Sequence, residues 1–297
     1  MQHNEPVGII GLGLIGTALS ERLIKAKIPA IGFDIDRTRN QKLEANGGAV
    51  ATSVGELAGR CRTIIIAVYS GEQAEALFDE LESGAGPARP ILVCTTTCAP
   101  DQIIRLSQRA AGANFPFVEA PISGTSAELR DGTATALVAG EAGAVDAVSE
   151  VLDVLWRRRV RVGAIGNASR TKLAINLILQ NNRAALAEGI AFAECLGLDG
   201  HAFLAAARES AAYSRVMDTK GEKMLTRDFR PQSHISQTLK DAELILEEAG
   251  RRGLQLPLTA VQPGLLREAI TREGPDRDSA AVIEAIRRPP ASSEVSG

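Results

Sequence analysis

The chain has 297 residues, with 33 Lys and Arg against 36 Asp and Glu and an apolar share of 45%. That length accommodates two domains, each with its own core. The net charge of −3 gives no electrostatic footing for nucleic acid or an anionic membrane, and no apolar run approaches the roughly 18 residues of a membrane span.

The first residues, Met1-Gln-His-Asn-Glu-Pro6, lack the basic-then-apolar pattern of a signal peptide. Val7-Gly-Ile-Ile then reads as a short buried strand. It leads into Gly11-Leu12-Gly13-Leu14-Ile15-Gly16 and a helical stretch from Thr17 to Lys27. Strand, glycine turn and helix in that order give the motif its meaning. Gly11 permits the tight turn, Gly13 lets the backbone approach a pyrophosphate, and Gly16 lets the helix pack close to the strand. The pyrophosphate then rests on unpaired N–H groups at the helix start. The next strand, Ala30 to Phe33, ends at Asp34, eighteen residues beyond Gly16. A carboxylate there accepts hydrogen bonds from the adenosine ribose; otherwise Asp34, like Asp36, is a turn or capping residue. A ribose-binding Asp34 repels a 2′-phosphate, so NAD is expected over NADP, with Arg37 and Arg39 nearby to soften the choice.

The alternation of strand and helix continues. Ala49 to Ala51 is followed by a helix capped at Ser53. Thr63 to Val68 is a buried strand, and Tyr69-Ser70-Gly71 turns into a helix through Phe78. Pro90 to Cys94 is another strand, after which Thr95 to Pro100 opens a helix. Phe115 to Val118 and Thr135 to Val138 complete a mostly parallel sheet. This is an α/β pattern with a doubly wound sheet. Ligands gather at the carboxyl ends of such strands. Val68, Tyr69, Ser70, Thr97 and the segment beginning at Glu119 lie there. Cys61, Cys94, Cys98 and Cys195 are scattered without metal-site spacing. Reduced thiols in a cytoplasm and no bound metal are therefore expected.

Asn167 to Cys195 has no proline and a single internal glycine, Gly189, and predicts one helix roughly 43 Å long. It is apolar around much of its circumference, the pattern of a buried helix. Lys172, Asn176 and Gln180 fall four apart on one face, with Arg183 close to the same line. Such a stripe either faces solvent or turns towards a bound cofactor. From Leu198 on, helices are expected over His201–Arg208, Ile235–Ala249 and Thr259–Thr271. Pro257 marks a turn, and Pro263 a late start or a kink. Trp156 reads as core. The tail from Arg288 to Gly297 reads as disordered.

Three further stretches go beyond a generic dinucleotide fold. They are Glu119-Ala-Pro-Ile-Ser123-Gly124-Thr125 continuing to Gly140, Gly163-Ala-Ile-Gly166-Asn-Ala168-Ser-Arg-Thr-Lys172 continuing to Asn176, and Lys240-Asp241. With the glycine turn, this order resembles the β-hydroxyacid dehydrogenases, the 3-hydroxyisobutyrate dehydrogenase-like family, from Val7 to about Ile270. The resemblance implies a Rossmann domain over 1–165, an interdomain helix over 166–196 and an all-helical domain over 197–287 that binds substrate and dimerises. It implies an NAD(P)-dependent oxidoreductase acting on a small 3-hydroxy acid or its semialdehyde, as a homodimer or homotetramer. Lys172 would be the catalytic acid/base, and Asn176 would help hold the substrate. Ser123, Gly124 and Thr125 would receive the substrate carboxylate. Val68, Tyr69 and Thr97 would line the nicotinamide side. Lys240 would lie near nicotinamide and substrate, or else be a solvated helix charge paired with Asp241 or Glu243.

The residue types suit that chemistry. A lysine ammonium donates a proton in reduction and its free amine accepts one in oxidation. Its unperturbed pKa of about 10.4 requires burial or a neighbouring cation such as Lys240 to lower it. The sequence also departs from the family. Ala168 stands for a glycine, Tyr69 for a proline, and Ser233-His234 where an aromatic residue is common. These changes make the pocket more polar. His234 is either a substrate ligand or a loop histidine. No arginine between Pro121 and Glu128 points to a sulfonate or phosphate. Two other readings are an imine reductase, against which Lys172 argues, and a non-catalytic dinucleotide-binding protein, against which Lys172, Asn176 and Ser123 argue together.

Overall fold

In the computed structural model, which describes residues 5–287, the chain forms two compact units, one running to Lys172 and the other starting at Leu173. The first unit is built on a nine-stranded sheet. Its strands are β1 Val7–Ile10, β2 Ala30–Phe33, β3 Ala49–Val50, β4 Thr63–Ile66, β5 Ile91–Cys94, β6 Phe117–Glu119, β7 Ile122–Ser123, β8 Thr135–Gly140 and β9 Arg158–Gly163. They lie in the order β3-β2-β1-β4-β5-β6-β8-β7, with β9 beside β8. From β3 to β6 every pairing is parallel. β8 runs antiparallel to β6 and β7, and parallel to β9.

The expected doubly wound sheet is present, and its central strands read as apolar runs because both faces are covered. Alternation along the strands divides the core. Val7, Ile9, Ile65, Val93 and Val118 pack with Leu19, Leu23 and Trp156 on one face. Ile10, Ile64, Ile66, Leu92 and Cys94 pack with Leu57, Phe78 and Ile103 on the other. Trp156 is fully buried, as its neighbours predict. Two expected strands are shorter: β4 stops at Ile66 and β6 begins at Phe117. β9 was not anticipated. It is an edge strand carrying Arg158, Arg159 and Arg161, and Val160 is 48% exposed. Charged side chains are what such an edge carries to discourage pairing with other chains, and they mask the strand pattern. Strand order reverses between β1 and β4, so the crevice of the fold opens beyond Ile10 and Ile66.

The described residues of the second unit contain no strand, only an isolated bridge between His234 and Asp278. Asn167–Cys195 is one continuous helix, with the bounds its composition predicts. Helices at Gly200–Arg208, Glu222–Thr226, Ile235–Arg251, Pro257–Ala260 and Gln262–Glu273 follow, with a π-helical turn at Met217–Gly221 and a short pair at Ser279–Val282 and Ile283–Ile286. The helix expected over Thr259–Thr271 is therefore two. Pro257 and Pro263 each occupy a first helical turn, where a missing N–H costs nothing. The second core joins Leu186 and Ile190 of the long helix to Leu204, Met217, Phe229, Ile235, Leu266 and Ile283. No described helix is long and apolar enough to cross a membrane. The tail assigned to disorder lies outside the described residues.

Candidate active site

The glycine turn has the geometry its spacing predicts. Gly11 sits at φ +90°, and a Cβ there would lie 2.6 Å from the Ala67 carbonyl oxygen. A Cβ at Gly16 would lie 1.8 Å from the Gly11 carbonyl oxygen, so only glycine lets the helix Leu14–Lys25 start this close to β1. At Gly13 the surroundings are open, with only the Arg39 guanidinium at 3.9 Å from a built Cβ. Two glycines are thus required by packing, and the third leaves the turn approachable. The helix after the turn has no side-chain cap and no acidic residue in its first turn. Its N–H groups and dipole suit a pyrophosphate.

Asp34 follows β2 and is buried. Its Oδ2 accepts from the Leu12 N–H at 2.7 Å, and its Oδ1 from the Asp36 N–H at 2.8 Å. The carboxylate is therefore locked to the glycine turn. Arg39 donates to Asp34 Oδ2 at 3.2 Å and reaches Asp36 at 3.4 Å. Asp36 caps the following helix through Thr38. Asp36 is the capping residue, while Asp34 closes a turn onto the Asp36 N–H and also holds the Leu12 N–H of the glycine turn. These residues fit a dinucleotide.

At the next strand ends, Thr95 and Thr96 donate their hydroxyls to the carbonyls of Ile66 and Val68, tying the exits of β4 and β5 together. Tyr69 is 46% exposed and its N–H donates to the Gln73 side chain. Thr97 is half-buried in the same loop cluster. Beyond β6, Ser123 is half-buried and Gly124 is exposed at φ +144°. Thr125 acts locally. Its N–H donates to Glu128, and its hydroxyl accepts from the Glu128 N–H, closing a capping box.

A feature the sequence did not reveal joins this segment to the long helix. Glu119, the last residue of β6, is fully buried. Its carboxylate accepts from the Gly166 N–H at 2.7 Å and from the Ser169 N–H. It therefore caps the N-terminus of the long helix from within the first unit. Burial pushes its carboxyl up from the ordinary glutamate range, against the pull of these N–H groups. Lys172 lies on the next turn and is 6% exposed. A buried strand ending in a carboxylate was the only available signal.

On the long helix the polar stripe is buried: Asn176, Gln180 and Arg183 are 5%, 3% and 6% exposed. Ile178 and Phe192 instead lie at the surface, 60% and 65% exposed. The solvent-facing reading of the stripe is overturned. Asn176 Nδ2 donates to Asp241 Oδ2 at 2.8 Å, and Lys240 Nζ lies 3.6 Å from Asp241 Oδ1. Lys240 is paired with Asp241, yet its side chain is only 17% exposed, so it is not a solvated charge. His234 precedes the helix Ile235–Arg251, and its Nδ1 pairs with the Asp276 carbonyl at 3.0 Å. Ser233 accepts from Lys220 Nζ at 3.2 Å, and Lys220 also donates to Asp278 Oδ1 at 2.6 Å. That pair comes from positions 58 apart and carried no sequence signal.

Comparison with known proteins matches this geometry. Residues 6–163 match the NAD binding domain of 6-phosphogluconate dehydrogenase. Residues 166–286 match the domain described as NAD-binding of NADP-dependent 3-hydroxyisobutyrate dehydrogenase. The chain is 27% identical over 281 residues to L-threonate dehydrogenase of Cupriavidus necator, covering 94% of this chain and 95% of that one. It is 26% identical over 285 residues to 2-hydroxy-3-oxopropionate reductase of Escherichia coli, covering 94% and 96%. The crystal structure of 3-hydroxyisobutyrate dehydrogenase from Salmonella typhimurium superposes with a TM-score of 0.86 at 24% identity, covering 95% of this chain and 99% of that one. With its glycine turn, its Ser123-Gly124 segment and a buried lysine on the first turns of a long helix, the chain belongs to the β-hydroxyacid dehydrogenase family of NAD(P)-binding oxidoreductases.

Proposed function

We propose that the protein oxidises a small 3-hydroxy acid, or reduces the matching semialdehyde, with Lys172 as the general acid/base and NAD as the preferred cofactor. The observation that carries this reading is the placement of Lys172. It is buried, one turn beyond a helix start that Glu119 clamps, and in line with Asn176. A nicotinamide cofactor held at the glycine turn would supply or accept the hydride at the carbon bearing the oxygen. Lys172 takes the hydroxyl proton during oxidation and returns it during reduction. Asn176, held by Asp241, fixes the oxygen-bearing end of the substrate. Ser123 and the backbone at Gly124 receive the substrate carboxylate, with Thr125 at its flank. Val68, Tyr69 and Thr97 flank the nicotinamide, and Lys240 adds positive charge beside the acid's anion.

The preference for NAD rests on Asp34, whose buried carboxylate repels a 2′-phosphate. Lys172→Ala tests the reading. It is expected to lower kcat with a panel of 3-hydroxy acids by three or more orders of magnitude while cofactor affinity changes less than about threefold. Near-normal turnover removes the lysine from the mechanism. Oxidation, which needs the free amine, is expected to speed up with rising pH, while reduction slows. The exposed Ile178 and Phe192 support assembly into a homodimer or homotetramer, which sedimentation of the purified chain checks.

A further inference from the structure

Between the long helix and the helix Ile235–Arg251, the second unit encloses polar groups whose hydrogen bonds do not close. Asn176 Nδ2 donates to Asp241, and Gln180 Nε2 donates to the Thr238 carbonyl at 3.2 Å. These donations fix the orientation of both amides, because the nitrogens are committed to acceptors. Asn176 Oδ1 and Gln180 Oε1 are left buried with no hydrogen-bond partner among the described residues. Arg183 Nη1 reaches Thr238 Oγ1 at a long 3.4 Å, while its Nε is buried and likewise unmatched among those residues. Two unmet acceptors and one unmet donor therefore lie on successive turns of one helix face. Helical side chains lean towards the N-terminus, which brings the Arg183 head back over the turn of Gln180. Buried polar groups are almost always paired, so these three atoms are open to a bound group that can meet them.

The chemistry of that ligand follows from the atoms. Asn176 Oδ1 and Gln180 Oε1 ask for donors, and Arg183 Nε asks for an acceptor. A carboxylate fails the first two and adds charge beside Asp241. An ammonium fails the third. Hydroxyl groups both donate and accept, and neighbouring hydroxyls on a carbon chain meet all three. Gln180 stands about 6 Å along the helix axis from Asn176, a gap that two neighbouring hydroxyls span with a hydrogen bond of about 2.8 Å at each end.

We propose that Gln180, supported by Arg183, reads hydroxyl groups on the carbons of the substrate beyond the one that Asn176 holds. The preferred substrate is then a polyhydroxylated acid of four or more carbons, not an unsubstituted 3-hydroxy acid. This rests on the reading of Lys172 and Asn176 as the reacting end. Lys220 donates to Ser233 and pairs with Asp278, and the carboxylates of Asp278 and Asp241 both act on Arg183.

The test is kcat/KM with NAD for 3-hydroxypropanoate, 2,3-dihydroxypropanoate and 2,3,4-trihydroxybutanoate, on wild type and on Gln180→Met, a change of nearly equal volume. Wild type is expected to favour the trihydroxy acid over 3-hydroxypropanoate by tenfold or more. Gln180→Met is expected to erase most of that preference, chiefly through KM, with a melting temperature within a few degrees of wild type. Gln180→Asn, which withdraws the amide by one methylene, is expected to do the same and serves if the methionine variant does not fold. A wild type without preference, or variants that slow all three acids equally, would overturn the proposal and leave the stripe as architecture. A wild type that binds NAD yet turns over none of the acids would overturn the proposed function instead.

Discussion

At the scale of single residues, the cofactor turn depends on a carboxylate with two roles. Asp34 holds the Leu12 N–H and is itself approached by Arg39. Asp34→Ser is expected to raise the NADP-to-NAD ratio of kcat/KM by about tenfold or more, because the repelling charge goes and Arg39 is released to a 2′-phosphate. Unchanged selectivity would remove Asp34 from the ribose site. A second residue with a measurable signature is Lys220. Burial is the largest cause of its lowered pKa, to about 8, with the attraction of Asp278 opposing and the nearby Arg183 adding to the fall. Asp278 stays ionised, held below the usual carboxylate range by Lys220 and by the N–H groups of Gln232 and Ala280 despite its own burial. Between pH 8 and the ordinary lysine value of 10.5, the unfolded chain keeps a proton that folded Lys220 has released. Stability contributed at this site therefore rises with pH across that window, by up to roughly 3 kcal/mol. Chemical denaturation of wild type and Lys220→Met at a series of pH values checks the sign. The gap in favour of wild type must widen from pH 8 upward, and a gap that narrows would refute the assignment.

At the scale of elements, the decisive arrangement is a strand that caps a helix. Glu119 at the end of β6 satisfies the N–H groups of Gly166 and Ser169, so the start of the long helix is fixed by the sheet. Glu119→Ala leaves those donors buried and unpaired, at a cost of about 2–3 kcal/mol. Glu119→Gln retains one acceptor and is expected to cost about half as much. Both changes are expected to lower kcat more than they raise KM, since Lys172 stands on the next turn; an unchanged kcat would separate the cap from the chemistry. Much of this architecture was legible beforehand. Glycine spacing marked the turn, apolar runs marked β1, β2, β4 and β5, and an unbroken Ala- and Leu-rich stretch marked the long helix to its final residue. What escaped notice was set by contacts distant in sequence. β9 is an arginine-bearing edge whose pairing with β8 no local pattern announces. The turn Met217–Gly221 is π-helical and carries Lys220, which pairs with Asp278 from 58 residues further along the chain. Asn176 and Gln180 were visible as a stripe, but their partners Asp241 and Thr238 come from a helix some sixty residues away.

At the scale of the whole molecule, each unit possesses its own core, two clusters flanking the sheet in the first and one among the helices of the second. Independent cores imply separable unfolding, and the chain carries a built-in reporter. Trp156 is the single tryptophan and is buried in the first unit. Its emission follows that unit alone, whereas far-ultraviolet circular dichroism follows the helices of both. Lys220→Met strips the counter-charge from a fully buried Asp278 in the second unit, a loss of about 3–5 kcal/mol. Part of the helical signal is then expected to melt at lower temperature while the Trp156 transition stays within a degree or two of wild type. Adding NAD should act the other way round. A ligand held by the glycine turn stabilises the unit that binds it by mass action, so at a hundredfold excess over Kd the Trp156 transition rises, by about 2.7 kcal/mol in stability, and the early helical phase of the variant does not move. If both probes shift together in both experiments, the chain unfolds as a single cooperative body, and the division at Lys172 reflects compactness without independent stability.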